Sequence, residues 1–351
     1  MEINISDLPA GTRAAWAAKT LHFNFDARTS RGAMRVKDTF YVLLTAPDGR
    51  RAIGEVPLFH GLSAEDTPRF ADVLAAACAD PAATLATPPC SSVAFGFESA
   101  AAALAGMSPS AWSGGAKGLP INGLVWMADK ATMRRQLEAK IAAGFGVVKL
   151  KIGGIDFDDE LELVRGIRSA FGADVLEVRL DANGSFGTYD TAMRRLDRLA
   201  PYGIHSLEQP LPAGRTADTA RVCASSPVPI ALDEELIGMR SFEDKRQLLS
   251  DIRPQYIILK PALCGGFRAA DEYISIVGDG RWWATSALES NVGLYAIGRW
   301  LESHNPSMPQ GLGTGALYTD NVGGNARMEA GCLYGDGFAP EAAIDLLEWN
   351  G

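Results

Sequence analysis

The stretch VVKLKIGGIDFDDELELVRGIRSAFGADVLEVRLDAN, residues 147–183, decides the fold. It opens on a short apolar run at 147–152. It then passes through a segment in which Leu161, Val164, Ile167 and Phe171 recur at three- and four-residue steps, and it closes on a second run at 176–183. Helical spacing between two short apolar runs reads as strand, amphipathic helix, strand. Strands joined through a helix lie parallel. Gly172 is the expected stop of the helix.

Working outward, the rhythm repeats. Strands are expected at 121–127 (INGLVWM), 206–210 (SLEQP), 229–235 (PIALDEE), 256–261 (YIILKP), 282–289 (WWATSALE) and 311–316 (GLGTGA). Helical spacing lies between them, as at Met193, Leu196 and Leu199 before Gly203. Eight strands and seven intervening segments predict an α/β fold, a TIM-type (β/α)7β barrel at 119–318. Residues 1–118 read differently. Segments 13–26 and 38–46 alternate as hairpin strands do, with Gly49 in the following turn, and 66–79 and 95–106 are alanine-rich helices. This predicts an α+β domain, to which the Gly-rich segment 319–351 returns.

The bulk composition bounds the function. With 33 basic against 42 acidic side chains the 351-residue chain carries a net charge of −9, which disfavours nucleic acid and anionic membrane surfaces as partners. MEINISDLPA lacks the basic and apolar regions of a signal peptide, and no apolar run of membrane-spanning length occurs, so a cytoplasmic protein is expected. The five cysteines form no CxxC pair, so buried free thiols are expected rather than a zinc site or a disulfide framework. A homo-oligomer is compatible with the sequence.

The informative residues stand at strand ends, the active-site face of a βα barrel. Asp181, Glu208 and Asp233 come from three successive strands at matching depth. Strands are about 4.8 Å apart, so three carboxylates there either rise in pKa or share a cation. Three oxygens on one side of an octahedron suit Mg2+, with Mn2+ a possible substitute, and no Cys or His accompanies them to favour a softer metal. The alternative is that each carboxylate caps a following helix. Lys149 and Lys151 share one strand face, and Lys260 stands across the barrel mouth, so an ammonium flanks the site on each side. A lysine near other cations has a lowered pKa and can serve as a base. The chemistry suggested is abstraction of a proton next to a carboxylate, with a cation stabilising the enediolate.

VKLKI (148–152), LDAN (180–183), LEQP (207–210), LDEE (232–235) and LKP (259–261), with Lys151, Asp181, Glu208, Asp233 and Lys260 spaced 30, 27, 25 and 27 residues apart, resemble the lysine-flanked, muconate-lactonizing-like branch of the enolase superfamily. TSRGAM (29–34), GEVPLFHGLS (54–63), TSALESNVG (285–293) and QGLGTGALYTDN (310–321) are most similar to its o-succinylbenzoate synthases. The resemblance implies an α+β capping domain over the barrel and a carbon–oxygen lyase (a hydro-lyase) of menaquinone biosynthesis that removes water from 2-succinyl-6-hydroxy-2,4-cyclohexadiene-1-carboxylate. It implies Lys151 as the base that returns its proton to the departing hydroxyl, Lys260 as a stabilising cation, and Asp181, Glu208 and Asp233 as ligands of Mg2+. Lys149 would tune Lys151 and touch the substrate carboxylate. Asn183 and Glu234 would support the site, Glu234 alternatively starting a helix. Arg31, Ser286 and the loop around Gly313 would meet the substrate.

The metal site alone does not separate this activity from an N-acylamino-acid racemase or a dipeptide epimerase, since the first half-reaction is shared. GLGTG lacks the acidic pair usual in the epimerases. A histidine base of the mandelate-racemase type is excluded, since His22, His60, His205 and His304 all lie outside 282–289. A catalytically silent metal-binding scaffold would be expected to lack a lysine or a ligand, and none is missing.

Overall fold

The computed structural model describes residues 8–29 and 32–351. Strands β1 (Arg13–Thr29), β2 (Gly32–Thr45) and β3 (Arg51–Val56) form an antiparallel meander. Gly49, at φ +89°, supplies the left-handed turn between β2 and β3. Helices α1 (Phe70–Ala79), α2 (Pro81–Ala86) and α3 (Ser91–Ala105) cover one face, burying Val42, Leu44, Val56, Phe70, Leu74 and Phe97 together. β3 and α3 meet at Gly54 and Gly96, where a Cβ on Gly54 would stand 2.0 Å from the Gly96 carbonyl oxygen. Any larger residue would push helix and sheet apart.

The chain then enters the barrel through β4 (Leu119–Pro120) and β5 (Gly123–Val125). It continues through α4 (Lys130–Ala142), β6 (Val147–Lys151), α5 (Phe157–Ala170), β7 (Glu177–Asp181), α6 (Tyr189–Leu199) and β8 (Ser206–Glu208). After these come α7 (Thr216–Ser225), β9 (Ile230–Leu232), α8 (Phe242–Ile252), β10 (Tyr256–Leu259) and the single turn α9 (Pro261–Cys264). Helix α10 (Gly266–Val277), β11 (Trp282–Ala284) and α11 (Asn291–His304) complete the series. Strands β5 to β11 neighbour one another in chain order and pair in parallel.

The ring closes at residues 310–311. Gly311 bridges to Thr285 and Gln310 to Ile121, both in parallel. Gly311 N–H donates to Ala284 O at 2.7 Å and Asn122 N–H to Gln310 O at 2.9 Å. The eighth strand expected at 311–316 is thus two residues long and starts one residue earlier. The glycines of GLGTG bring no side-chain packing to a strand, and 313–316 turn instead. The architecture is the expected (β/α)7β barrel with an α+β cap.

Strand alternation sorts the barrel residues. Val148, Leu150, Val178, Leu180, Leu207, Ile230 and Leu232 pack outward in one apolar cluster with the helices. Their alternates Lys149, Lys151, Arg179, Asp181 and Glu208 therefore face inward. Towards the C-terminus, β12 (Arg327–Glu329) pairs with β13 (Cys332–Tyr334), which pairs with β4, and Asn350 bridges to Trp16 of β1. Ala343 and Ile344 pack with Tyr41, Leu43 and Ile53 of β2 and β3. Among the described residues no helix is long and apolar enough to cross a membrane.

Candidate active site

Lys151, Asp181 and Glu208 are the last residues of β6, β7 and β8. They stand in one register row, Lys151 opposite Asp181 and Asp181 opposite Glu208. Asp233 departs from the expected matching depth. Glu208 pairs with Ala231, so Asp233 lies two residues further along, beyond the end of β9, where the barrel's stagger carries it upward. It precedes the 3₁₀ turn Glu234–Leu236. Lys260 follows β10 and precedes α9.

The side chains interlock. Lys149 Nζ donates to Glu208 Oε2 at 3.0 Å and lies 3.2 Å from Asp181 Oδ2. Lys151 Nζ donates to Asp181 Oδ2 at 3.0 Å and to Asn183 Oδ1 at 2.9 Å. Asn183 Nδ2 in turn donates to Glu234 Oε1 at 3.0 Å. Lys260 Nζ donates to Asp233 Oδ2. Asn183 takes φ +43°, as the chain turns sharply off its strand, and Asn tolerates the left-handed region better than most residues. Glu234 does both things considered for it: it opens the 3₁₀ turn and it faces the site.

The electrostatics correct one expectation. Burial works against the Lys149 ammonium, but Glu208 and Asp181 beside it hold its pKa above the usual lysine range. Asp233 and Glu234 do the same for buried Lys260. Carboxylates stand nearer these amines than other cations do, so neither pKa is lowered. Asp181 is held well below the usual carboxylate range against burial, by Lys151 and Lys149. Glu208 goes the other way: burial, then the charge of Asp181, push its pKa up to about 8. Its Oε1 is buried with no hydrogen-bond partner among the described residues.

Among those residues no three His, Cys, Asp or Glu side chains are gathered in metal-binding geometry, because lysine ammoniums are threaded between the carboxylates. The donor set still fits a hard cation. It consists of carboxylate oxygens alone, and Glu208 has one oxygen bare.

Lys149, Lys151, Asp181, Asn183, Glu234 and Lys260 line one cavity at the barrel mouth. Ser286 and Gly313 close its far side. Glu208 and Asp233 are buried just behind the wall, at 1% and 2% exposure. The arrangement sets two amines on opposite walls, with carboxylates between them, in a space partly sealed by Phe59, Leu62, Trp126 and Leu288. It can bind an anionic ligand and move a proton on or off it.

The enolase C-terminal domain-like family matches residues 132–278. An o-succinylbenzoate synthase of Desulfotalea psychrophila is 40% identical to this chain, the match covering 92% of this chain and 99% of that protein. The chain belongs to the o-succinylbenzoate synthase family of the enolase superfamily. The crystal structure of MenC from Desulfotalea psychrophila superposes with a TM-score of 0.78 at 37% identity, over 93% of this chain and 100% of that one. An o-succinylbenzoate synthase from Thermosynechococcus elongatus shares the fold at 23% identity, with a TM-score of 0.73 over 85% of this chain and 92% of that one.

For this member of the family, Arg31 lies outside the described residues. Sequence reading missed the apolar wall of Phe59, Leu62 and Trp126. It also missed two buried carboxylates, Glu289 within the segment 285–290 and Glu55 bonded to its end at Ser290. Glu289 is the one charged residue of TSALESNVG, and that was the signal available.

Proposed function

We propose that the chain is an o-succinylbenzoate synthase, which dehydrates 2-succinyl-6-hydroxy-2,4-cyclohexadiene-1-carboxylate to o-succinylbenzoate in menaquinone biosynthesis. The observation that carries this reading is the 40% identity to an o-succinylbenzoate synthase over 92% of this chain, and one cavity with Lys151 and Lys260 in its wall and Asp181, Glu208 and Asp233 beside them supplies the chemistry. Asp181, Glu208 and Asp233 would hold Mg2+, and the bare oxygen of Glu208 supports this. The relative from Thermosynechococcus elongatus carries magnesium in its active site. When bound, the cation supplies stabilisation of the two negative charges of an enediolate.

The chain's own residues do the rest. Lys151 takes the proton from the carbon next to the carboxylate and delivers it to the departing hydroxyl, serving as base and then as acid. Asp181 and Asn183 fix its Nζ from two directions, so the amine is aimed before substrate arrives. Lys260 stays protonated, held so by Asp233 and Glu234, and offers positive charge from the opposite wall. Lys149, spanning Glu208 and Asp181, keeps the carboxylates in place. The aromatic and aliphatic wall excludes water that would otherwise quench a carbanion-like intermediate. Return of the proton to carbon, instead of to a leaving group, would give racemase chemistry from the same residues.

The Lys151→Ala variant tests the assignment. General acid–base groups contribute roughly 10²–10⁴-fold, and this one serves twice, so a loss at the upper end in kcat is expected with the circular dichroism spectrum unchanged. Wild-type turnover by that variant would remove Lys151 from the mechanism.

A further inference from the structure

Between β2, β3 and the barrel lies a cluster of buried charge that the proposed mechanism does not use. Glu289 is fully buried. Its Oε2 accepts two hydrogen bonds, from Ser286 Oγ at 2.6 Å and from the Ala287 N–H at 2.9 Å. Its Oε1 has no hydrogen-bond partner among the described residues. Lys37 of β2 is buried beside it at 6% exposure, its ammonium also without a hydrogen-bond partner there, and the charges of Lys37 and Glu55 both act on Glu289.

Ser286 lines the cavity, and its hydroxyl has one proton and two lone pairs. As a carboxylate Glu289 can only accept, so the short contact between its Oε2 and Ser286 Oγ is made by the serine's proton. One lone pair of Ser286 receives the Leu288 N–H at 2.9 Å. What remains for the cavity is a single lone pair. The same bonds hold Leu288 at φ +63°, a conformation uncommon for leucine, and Tyr318 Oη pins its carbonyl at 2.7 Å.

We propose that Glu289 is a positioning residue which turns the Ser286 hydroxyl so that the cavity meets its lone pair and not its proton. Ser286 then recognises an O–H, an N–H or a bridging water on the ligand, and does not bind a bare carboxylate oxygen directly. The inference rests on the reading of this cavity as the substrate site.

Two measurements test it. A neutron structure of the deuterium-exchanged protein locates the Ser286 deuteron without any substrate. Density between Ser286 Oγ and Glu289 Oε2 is expected, and a deuteron pointing into the cavity overturns the proposal. The second is a kinetic cycle on the cyclohexadiene carboxylate. Glu289→Ala should raise KM by about tenfold, the worth of one lost polar contact, with kcat changed by less than about threefold. Glu289→Gln, whose carbonyl can accept the same two bonds, should stay within about threefold of wild type and shows that any failure of Glu289→Ala to fold is not the cause. In a Ser286→Ala background, Glu289→Ala should cost less than about twofold, because the residue acts through Ser286. Equal costs in both backgrounds overturn the inference while leaving the proposed function intact. An inactive wild type would instead sink the proposed function, and the deuteron position would still decide this point.

Discussion

Glu55 and Glu208 are both fully buried glutamates, at 0% and 1% exposure, and they have opposite surroundings. Glu55, from the N-terminal sheet, reaches the start of α11 and accepts from Thr39 Oγ1, Ser290 N, Ser290 Oγ and Gly293 N, at 2.8, 3.0, 2.6 and 3.0 Å. Its charge sits on a helix N-terminus, where the dipole favours it. Gly293 is required there, since a Cβ would meet Glu55 Oε2 at 2.8 Å. Glu208, at the barrel mouth, has a lysine on one oxygen and nothing on the other among the described residues. Burial alone does not mark a working group. A satisfied buried carboxylate holds two parts of the fold together, whereas an unsatisfied one is kept at a cost in stability for a partner still to arrive.

This contrast can be broken by exchanging what is removed. Glu208→Ala should lower kcat by about 10³-fold or more, as expected for loss of a preorganised electrostatic site, and cost the metal-free protein less stability than Glu55→Ala does, because Lys149 keeps Asp181 as a partner. A collapse in stability would put Glu208 in the same class as Glu55. Glu55→Ala should do the reverse. It strips four donors of a buried acceptor and should cost about 3–5 kcal/mol in urea unfolding, while the folded fraction retains the chemistry of the barrel mouth.

Adding Mg2+ sharpens the point. At about 100 times its Kd a ligand specific to the native state stabilises by about 2.7 kcal/mol. The wild type and Glu55→Gln should show that shift, and Glu208→Gln should lose most of it. EDTA should abolish turnover in a way that Mg2+ restores. The smallest effect concerns Asn183, which links Lys151 to Glu234. Asn183→Ala should lower kcat about tenfold, the worth of one aiming hydrogen bond, with little change in KM. A larger change in KM would make it a substrate contact.

The barrel mouth was legible in the sequence because strands alternate. A charge inside a run such as VVKLKI or YIILKP has to point away from the apolar helices, and in a closed barrel that means inward. Lys151, Asp181, Glu208 and Lys260 could therefore be read one strand at a time. Asp233 shows where this stops. Its depth depends on the stagger between strands, which no single strand encodes. The eighth strand was overestimated because GLGTG lies at a strand position but lacks the side chains that would lengthen it. Glu55 was invisible for a different reason. Its partner Ser290 lies 235 residues away, and the pairing exists only once the N-terminal sheet has docked on the barrel.

The most direct test of the account is a comparison of kcat/KM for 2-succinyl-6-hydroxy-2,4-cyclohexadiene-1-carboxylate and for an N-succinylamino acid on the same Mg2+-loaded protein. Both begin with removal of a proton next to a carboxylate, so the ratio isolates the fate of that proton and the fit of the cavity. Dehydration should win by at least about 100-fold, equivalent to about 2.7 kcal/mol between the two transition states. Equal values, or faster racemisation, would contradict it.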